Sequence, residues 1–147
     1  MRNVLVRHLM SSPPLCIAPD AALADADLVM TTEKVRRLPV VDAEGRLLGI
    51  ISRGDVREGL SISAASHPYA PDAHEHWLTV ADVMAIDVVT VSSDAPLWLA
   101  ADLMLQHKIG GLPVMKGREI VGIVTESDIF KLLVEQLRTE ADPLPGY

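Results

Sequence analysis

Gly110-Gly111-Leu112-Pro113-Val114, followed after a short turn by Gly122-Ile123-Val124-Thr125-Glu126-Ser127-Asp128, reads as strand, turn, strand and the start of a helix. The chain says the same thing earlier, in Arg36-Arg37-Leu38-Pro39-Val40 and then Gly49-Ile50-Ile51-Ser52-Arg53-Gly54-Asp55. The two passages hold register. Met84 and Met10, Asp94 and Asp20, and Pro113 and Pro39 are each 74 positions apart. Past the hairpin the offset is 73, as for Gly122 and Gly49 or Asp128 and Asp55. The contraction falls in the turn, Asp42-Ala43-Glu44-Gly45 against Lys116-Gly117, where a change of length costs least. Two copies of one supersecondary unit therefore decide the fold.

Outward from the hairpins, each copy has the same surroundings. A short helix is predicted over Asn3 to Met10, and Leu78 to Met84 restarts that pattern. Leu15-Cys16-Ile17 and Val88-Val89-Thr90 are short extended segments. Asp20 and Asp94 stand where N-caps belong, ahead of helices expected over Ala21–Glu33 and Ala95–His107, with Pro96 tolerated in the first turn. Ser52 opens a last helix expected over Arg53–Leu60, and Thr125 opens one carrying Ile129, Phe130, Leu132, Leu133 and Leu137. Each repeat is then helix, strand, helix, strand, strand, helix. The predicted organisation is repeat 1 over 1–60, a connection over 61–77, repeat 2 over 78–138, and a poorly ordered or docking tail over 139–147. One repeat is too small to bury both faces of its sheet. The expected fold is mixed α/β (α+β), two repeats packed sheet to sheet about a pseudo-twofold axis, with related crevices between them.

Bulk properties narrow the function. At 147 residues and 49% hydrophobic, the chain can bury a core, and with only 3% aromatic residues that core must be aliphatic. A net charge of −7 argues against a nucleic-acid partner, which needs a basic stripe to neutralise phosphates. Cys16 is the sole cysteine, so no internal disulfide is available, which fits a reducing compartment. Apolar runs such as Leu47-Leu48-Gly49-Ile50-Ile51 are too short to span a bilayer, and Arg7 and His8 interrupt the N-terminal apolar stretch. The expectation is a soluble, cytoplasmic protein with neither membrane nor nucleic acid as partner.

These residues carry a resemblance. Val80-x-x-Val83-Met84, Thr90-Val91 before Asp94, Gly111-Leu112-Pro113-Val114 and Gly122-Ile123-Val124-Thr125-x-x-Asp128, with first-repeat partners Leu9-Met10, Ile17 before Asp20, Leu38-Pro39-Val40-Val41-Asp42 and Gly49-Ile50-Ile51-Ser52-x-x-Asp55, resemble a tandem pair of cystathionine-beta-synthase (CBS) domains, a Bateman module. The match spans nearly the whole chain and leaves no room for a catalytic domain. The long His-bearing linker and the Thr-Glu-Ser-Asp sequence look like stand-alone bacterial proteins of the acetoin-utilisation type.

The resemblance implies an adenine nucleotide (AMP, ADP, ATP, or an S-adenosyl compound) as a regulatory ligand, with no obligatory cofactor. Asp55 and Asp128, each one turn into a helix, could accept hydrogen bonds from ribose hydroxyls. The helix N-termini and the hydroxyls of Ser52 and Thr125 would favour a phosphate. Leu15, Cys16 and Ile17 in one copy, and Val88, Val89 and Thr90 in the other, would offer backbone groups to adenine. Arg36, Arg37 and Arg53 form a local basic cluster suited to phosphate. The second copy has Gly110 and Gly111, ahead of Pro113, where the first has the arginines, and only Lys108 and His107 nearby. Stronger phosphate binding is therefore expected at the Asp55 crevice, while the Asp128 crevice would favour a less charged ligand or borrow a base across the pseudo-twofold. Ser52-x-x-Asp55 and Thr125-x-x-Asp128 are equally helix-start signatures, close to a capping box.

Three alternatives remain open. The chain could be an interaction or dimerisation module without ligand. It could be a metal-responsive sensor through His74-Glu75-His76, with Asp72 and His67 nearby, although alternating histidines without a second ligand pair more often belong to a linker. An enzyme is disfavoured, since no nucleophile elbow, phosphate-cradling loop or metalloprotease motif is present. A homodimer and a regulated protein target are implied by the resemblance. Leu97, Leu99, Ala100, Leu103 and Met104 could supply an interface or simply pack the helix onto its own core. Cys16 reads as packing.

Overall fold

The computed structural model describes residues 3–66 and 78–141. In chain order they form α1 (Val6–Leu9), α2 (Leu23–Glu33), β1 (Arg37–Val41), β2 (Leu47–Ser52), α3 (Arg53–Ser66), α4 (Val80–Val83), β3 (Val91–Ser92), α5 (Leu97–His107), β4 (Gly111–Lys116), β5 (Glu119–Thr125) and α6 (Glu126–Glu140). The result is mixed helix and strand with small sheets. β1 and β2 pair antiparallel, Arg37 opposite Ser52 and Val40 opposite Gly49, with a bulge between Val40 and Val41. β3, β4 and β5 form a second sheet in that order, with β3 parallel to β4 through Val91 and Val114. In the first copy Ile17 bridges Val40 in parallel, the place that Val91 takes beside Val114. The turns use Gly45 (φ 80°) and Gly117 (φ 62°), a left-handed backbone that glycine adopts without steric penalty.

Two compact units result, and they cut across the repeats. One contains 1–13, 89–117 and 121–147; the other contains 14–88 and 118–120. The first has a core of Val6, Val91, Leu97, Ala100, Leu112, Val114 and Val124. The second has Leu23, Ala26, Met30, Leu38, Val40, Ile51, Val56 and Val80. α1 thus completes the core around β3–β5, and α4 completes the core around β1–β2. The repeats have exchanged their opening helices.

Several boundaries differ from expectation for a physical reason. Asp20 and Asp94 do not cap: α2 and α5 begin at Leu23 and Leu97, with Ala22 and Pro96 at the N-cap. The exchanged segments supply backbone partners instead. Leu97 donates its N–H to the Val4 carbonyl (2.9 Å), and Val6 donates to Ala95 (2.9 Å). Val80 donates to Ala21 (2.9 Å), and Leu23 donates to Leu78 (3.4 Å). With those backbone groups satisfied, no side-chain cap is required. The Asp94 carboxylate pairs with Arg7. α1 is confined to Val6–Leu9. α3 continues past Leu60 to Ser66 because Ser63 is buried and Ala64 and Ala65 are strong helix formers, so the first residues of the expected connection are helical. α6 runs to Glu140, two residues into the segment expected as a tail. His67, Asp72, His74 and His76 lie outside the described residues. Leu97, Ala100 and Met104 are buried in their own unit, with Leu99 and Leu103 packed against the same core, so the core-packing alternative for this helix face holds.

Candidate functional site

β2 delivers Ser52 directly into the first turn of α3. Ser52 donates its backbone N–H to Asp55 Oδ2 (2.9 Å), and Asp55 returns its N–H to Ser52 Oγ (3.1 Å). β5 and α6 repeat this: Thr125 N–H donates to Asp128 Oδ2 (2.8 Å), its hydroxyl to the same oxygen (3.1 Å), and Asp128 N–H to Thr125 Oγ1 (3.4 Å). All four residues are half-buried. Both are therefore capping boxes, as the sequence allowed. In each, Oδ2 is engaged and Oδ1 is left without a partner among the described residues, so the carboxylate keeps accepting capacity for a ligand hydroxyl.

The residue that follows the hydroxyl differs in charge between the two boxes, Arg53 in the first and Glu126 in the second. Arg53 N–H donates to the Arg36 carbonyl (2.7 Å), which holds the residues before β1 against the start of α3. Arg37 lies opposite Ser52 in the β1–β2 register. Arg53 Nε is buried without a hydrogen-bond partner, an orphan donor beside the Asp55 box. Burying such a donor is costly unless something accepts from it. In the second copy Glu126 occupies the position of Arg53, and its N–H donates to the Gly110 carbonyl (3.0 Å). Reading the arginines alone missed that Glu126 is Arg53's counterpart, although the 73-residue offset contains the signal. Gly111 and Pro113 are buried in β4. Lys108 and His107 are exposed at the end of α5.

The segments expected to contact adenine take their places beside the hairpins. Ile17 N–H donates to Pro39 and its carbonyl accepts from Val41 (2.9 and 3.0 Å). Ile17 thus flanks one edge of β1 while Ser52 flanks the other. Leu15 is exposed. Cys16 is half-buried, its thiol donating to the Pro14 carbonyl at 3.7 Å, and burial pushes that thiol above its ordinary pKa, which makes it a packing residue and a poor nucleophile. Val89 packs on the core of its unit and Thr90 leads into β3, both half-buried. Val88 falls in the other unit, with its N–H on the Ile86 carbonyl (3.1 Å). A cavity of about 510 Å³ opens between the end of α5 and the start of α6, lined by Lys108, Ile109, Gly110, Glu126 and Phe130 among others, but by neither Thr125 nor Asp128. Among the described residues no group of three His, Cys, Asp or Glu side chains could hold a metal, and no helix is long and apolar enough to cross a membrane.

Two hairpin-to-helix units, each ending in a hydroxyl–Asp box and each completed by the other's opening helix, make a tandem module of two like units. The chain belongs to the CBS-domain family: the CBS domain profile matches residues 6–62 and 80–135. It is similar to a CBS domain-containing protein of Dictyostelium discoideum, 37% identical over 97% of each chain. Among solved structures it is similar to a Vibrio cholerae protein assigned to acetoin utilization (TM-score 0.78, 31% identity, 95% of this chain and 98% of that one). It is also similar to the CBS domain pair of protein MJ0100 in complex with 5′-methylthioadenosine and S-adenosyl-L-methionine (TM-score 0.77, 28% identity, 90% and 98%). Of several longer curated relatives, enzymes among them, the chain spans about a quarter of the length.

Proposed function

We propose that this chain is a non-catalytic regulatory module that senses an adenine nucleotide or S-adenosyl compound at its two hydroxyl–Asp boxes. The observation that carries the reading is the pairing of two boxes of one geometry with residues of opposite charge, Arg53 and Glu126, after the hydroxyl. Beside Asp55 in the first turn of α3, Arg53 has a buried Nε without a partner among the described residues, and Arg36 and Arg37 stand at the entry to β1, the strand paired with the one that delivers Ser52. Asp128 has Glu126 and Gly110. A phosphate is favoured at the first, where guanidinium groups and the N-terminus of α3 act together. A neutral or cationic adenosine compound is favoured at the second, where a carboxylate would repel phosphate. That MJ0100's CBS pair was solved with 5′-methylthioadenosine and S-adenosyl-L-methionine supports ligands of this class. In this reading Leu15 and Cys16 at one box and Val89 and Thr90 at the other present backbone to adenine, Ile17 being held by β1 through both its N–H and its carbonyl; the chain is a cytoplasmic homodimer, and the ligand acts on a protein target by stabilising one arrangement over another.

Thermal unfolding and calorimetry with AMP, ADP, ATP and S-adenosyl-L-methionine test this. A ligand at a hundred times its Kd adds about 2.7 kcal/mol of stability. AMP or ATP binding is expected to be lost in Asp55→Ala and Arg53→Ala and retained in Asp128→Ala. The S-adenosyl compound is expected to show the reverse dependence on the two aspartates. Silence from every compound in the folded wild-type chain would leave the second reading, an interaction module whose carboxylates serve only as helix caps. The completed capping boxes are the observation on its side.

A further inference from the structure

The two exchanged helices are fastened by one box built from two chemistries. At α4, Thr79 donates its N–H to Asp82 Oδ2 (2.8 Å), and Asp82 returns its N–H to the Thr79 carbonyl (3.1 Å). The residues 74 positions earlier, at α1, are Leu5 and His8. Leu5 donates its N–H to His8 Nδ1 (3.1 Å), and His8 returns its N–H to the Leu5 carbonyl (3.0 Å). An imidazole nitrogen accepts only while it carries no proton, so the bond needs neutral His8 with its hydrogen on Nε2. Once His8 is protonated, Nδ1–H and the Leu5 N–H are two donors facing each other. Histidine is the side chain that changes charge between pH 5 and 8, whereas a carboxylate stays ionised across that range. His8 is exposed, so solvent reaches it.

Few charges surround this helix. Arg7 beside His8 is tied to Asp94, in the loop whose Ser93 and Ala95 carbonyls accept from α1. The segments of the core that α1 completes, β3 and residues 97–101, 111–115 and 120–124, carry no ionisable side chain. On α6, which reaches that core through Ile129 and Leu132, Asp128 is held in its own box and Lys131 is exposed. Among the described residues His8 makes no ion pair. Its bond to Leu5 is therefore the local interaction that a proton changes. What it fastens matters: Val6, the next residue, is fully buried in the unit that contains β4, β5 and the Thr125–Asp128 box.

We propose that His8 is a pH-sensitive latch on α1: acidification through the histidine range releases the Leu5 N–H and loosens the core that carries the Thr125–Asp128 box, while the carboxylate latch on α4 leaves the Ser52–Asp55 unit unaffected. The latch is complete above the pH range in which the imidazole takes its proton and is lost below it. It goes beyond the ligand reading and does not depend on it. NMR of the full chain, without ligand, is the test. At pH 8 the imidazole nitrogen shifts of His8 are expected to show the hydrogen on Nε2. Amide exchange, corrected at each pH for the intrinsic rate, is then compared at pH 8 and pH 5 between wild type and His8→Gln, whose side-chain carbonyl accepts without titrating. Relative to that variant, wild-type protection at Leu5 and in β4, β5 and α5 should fall roughly fivefold at pH 5, the usual weight of a helix cap. Protection in β1, β2 and α2 should fall equally in both proteins. The remaining histidines are common to both, so their titration cancels. His8→Asp, which copies the second repeat, should behave as His8→Gln does. A hydrogen on Nδ1 at pH 8, or the same pH response in wild type and His8→Gln, overturns the latch. An excess loss spread equally over both units overturns its selectivity.

Discussion

Gly49 and Gly122 show how far two copies of a sequence can enforce one detail. Each sits in the return strand of its hairpin, and each is approached by backbone from the exchanged segment. A Cβ on Gly122 would lie 2.8 Å from the Ser11 carbonyl and 2.8 Å from Met10 Sδ. On Gly49 it would lie 2.6 Å from the Ala85 carbonyl and 2.8 Å from Met84 Sδ. The thioether can move, but the carbonyls are held: Ser11 and Ile123 exchange two backbone hydrogen bonds (2.8 and 3.1 Å), and so do Ile50 and Ala85 (2.9 Å each). Gly49→Ala and Gly122→Ala should each cost about 1–3 kcal/mol, as overpacking a fixed contact does. Gly54→Ala, whose nearest neighbour is Ser52 Oγ at 3.7 Å, should cost little. Urea unfolding of the three variants decides, and equal midpoints would refute the contact. The glycines were visible in sequence as repeat markers. What they accommodate was not, because the opposing carbonyls come from positions nearly forty or more than a hundred residues away.

At the scale of the element, hairpins and helix starts that depend on local chemistry were legible, and those that depend on distant chain were not. The hydroxyl–Asp boxes of α3 and α6 lie within four residues and could be read directly. The starts of α2 and α5 moved by two residues because the partners of Leu23 and Leu97 are Leu78 and Val4. The ends of those helices fall where the sequence placed them, at Glu33 and His107, although the residues that stop them, Lys34 and Lys108, adopt left-handed backbone (φ 57° and 54°) where glycine is usual. α4 carries its own box, in which Asp82 Oδ2 accepts from the Thr79 N–H (2.8 Å) and hydroxyl (3.0 Å). Those bonds, the backbone one first, hold the Asp82 carboxyl below its ordinary value of 3.8. A depressed folded value means that the stabilising contribution is complete above the unfolded pKa and is lost as pH falls through the folded one. Carbon-detected NMR titration should therefore place the Asp82 midpoint below 3.8. Thr79→Val should move it only part of the way back, because the larger cause, the backbone N–H, remains. A wild-type midpoint at or above the ordinary value would show that the box does not form in solution.

For the whole molecule, the duplicated pattern was enough to identify two CBS units, but not which helix completes which core. Periodicity identifies Val6 and Val80 as apolar positions of short helices. It says nothing of whether each packs within its own repeat. Both are fully buried, Val6 among Val91, Leu112, Val114 and Val124, and Val80 among Leu23, Leu38, Val40 and Val56. A four-residue helix has no stability of its own and depends on that burial. Replacing either valine by alanine removes two buried methyl groups' worth of transfer free energy, about 1.5–2 kcal/mol. The exchange predicts where the loss is felt. Val6→Ala should increase amide hydrogen exchange in β4, β5 and α5, some eighty residues or more along the chain, before it affects β1 and β2. Val80→Ala should do the converse, loosening β1, β2 and α2 first. If each valine instead loosened the hairpin of its own repeat, the exchanged helices would be wrong. The same experiment bears on the proposed sensing role, because a helix that closes the other copy's core makes the stability of each hydroxyl–Asp box depend on sequence from both repeats. Ligand at one box could then alter exchange in elements contributed by the other repeat without any contact between ligand and those elements.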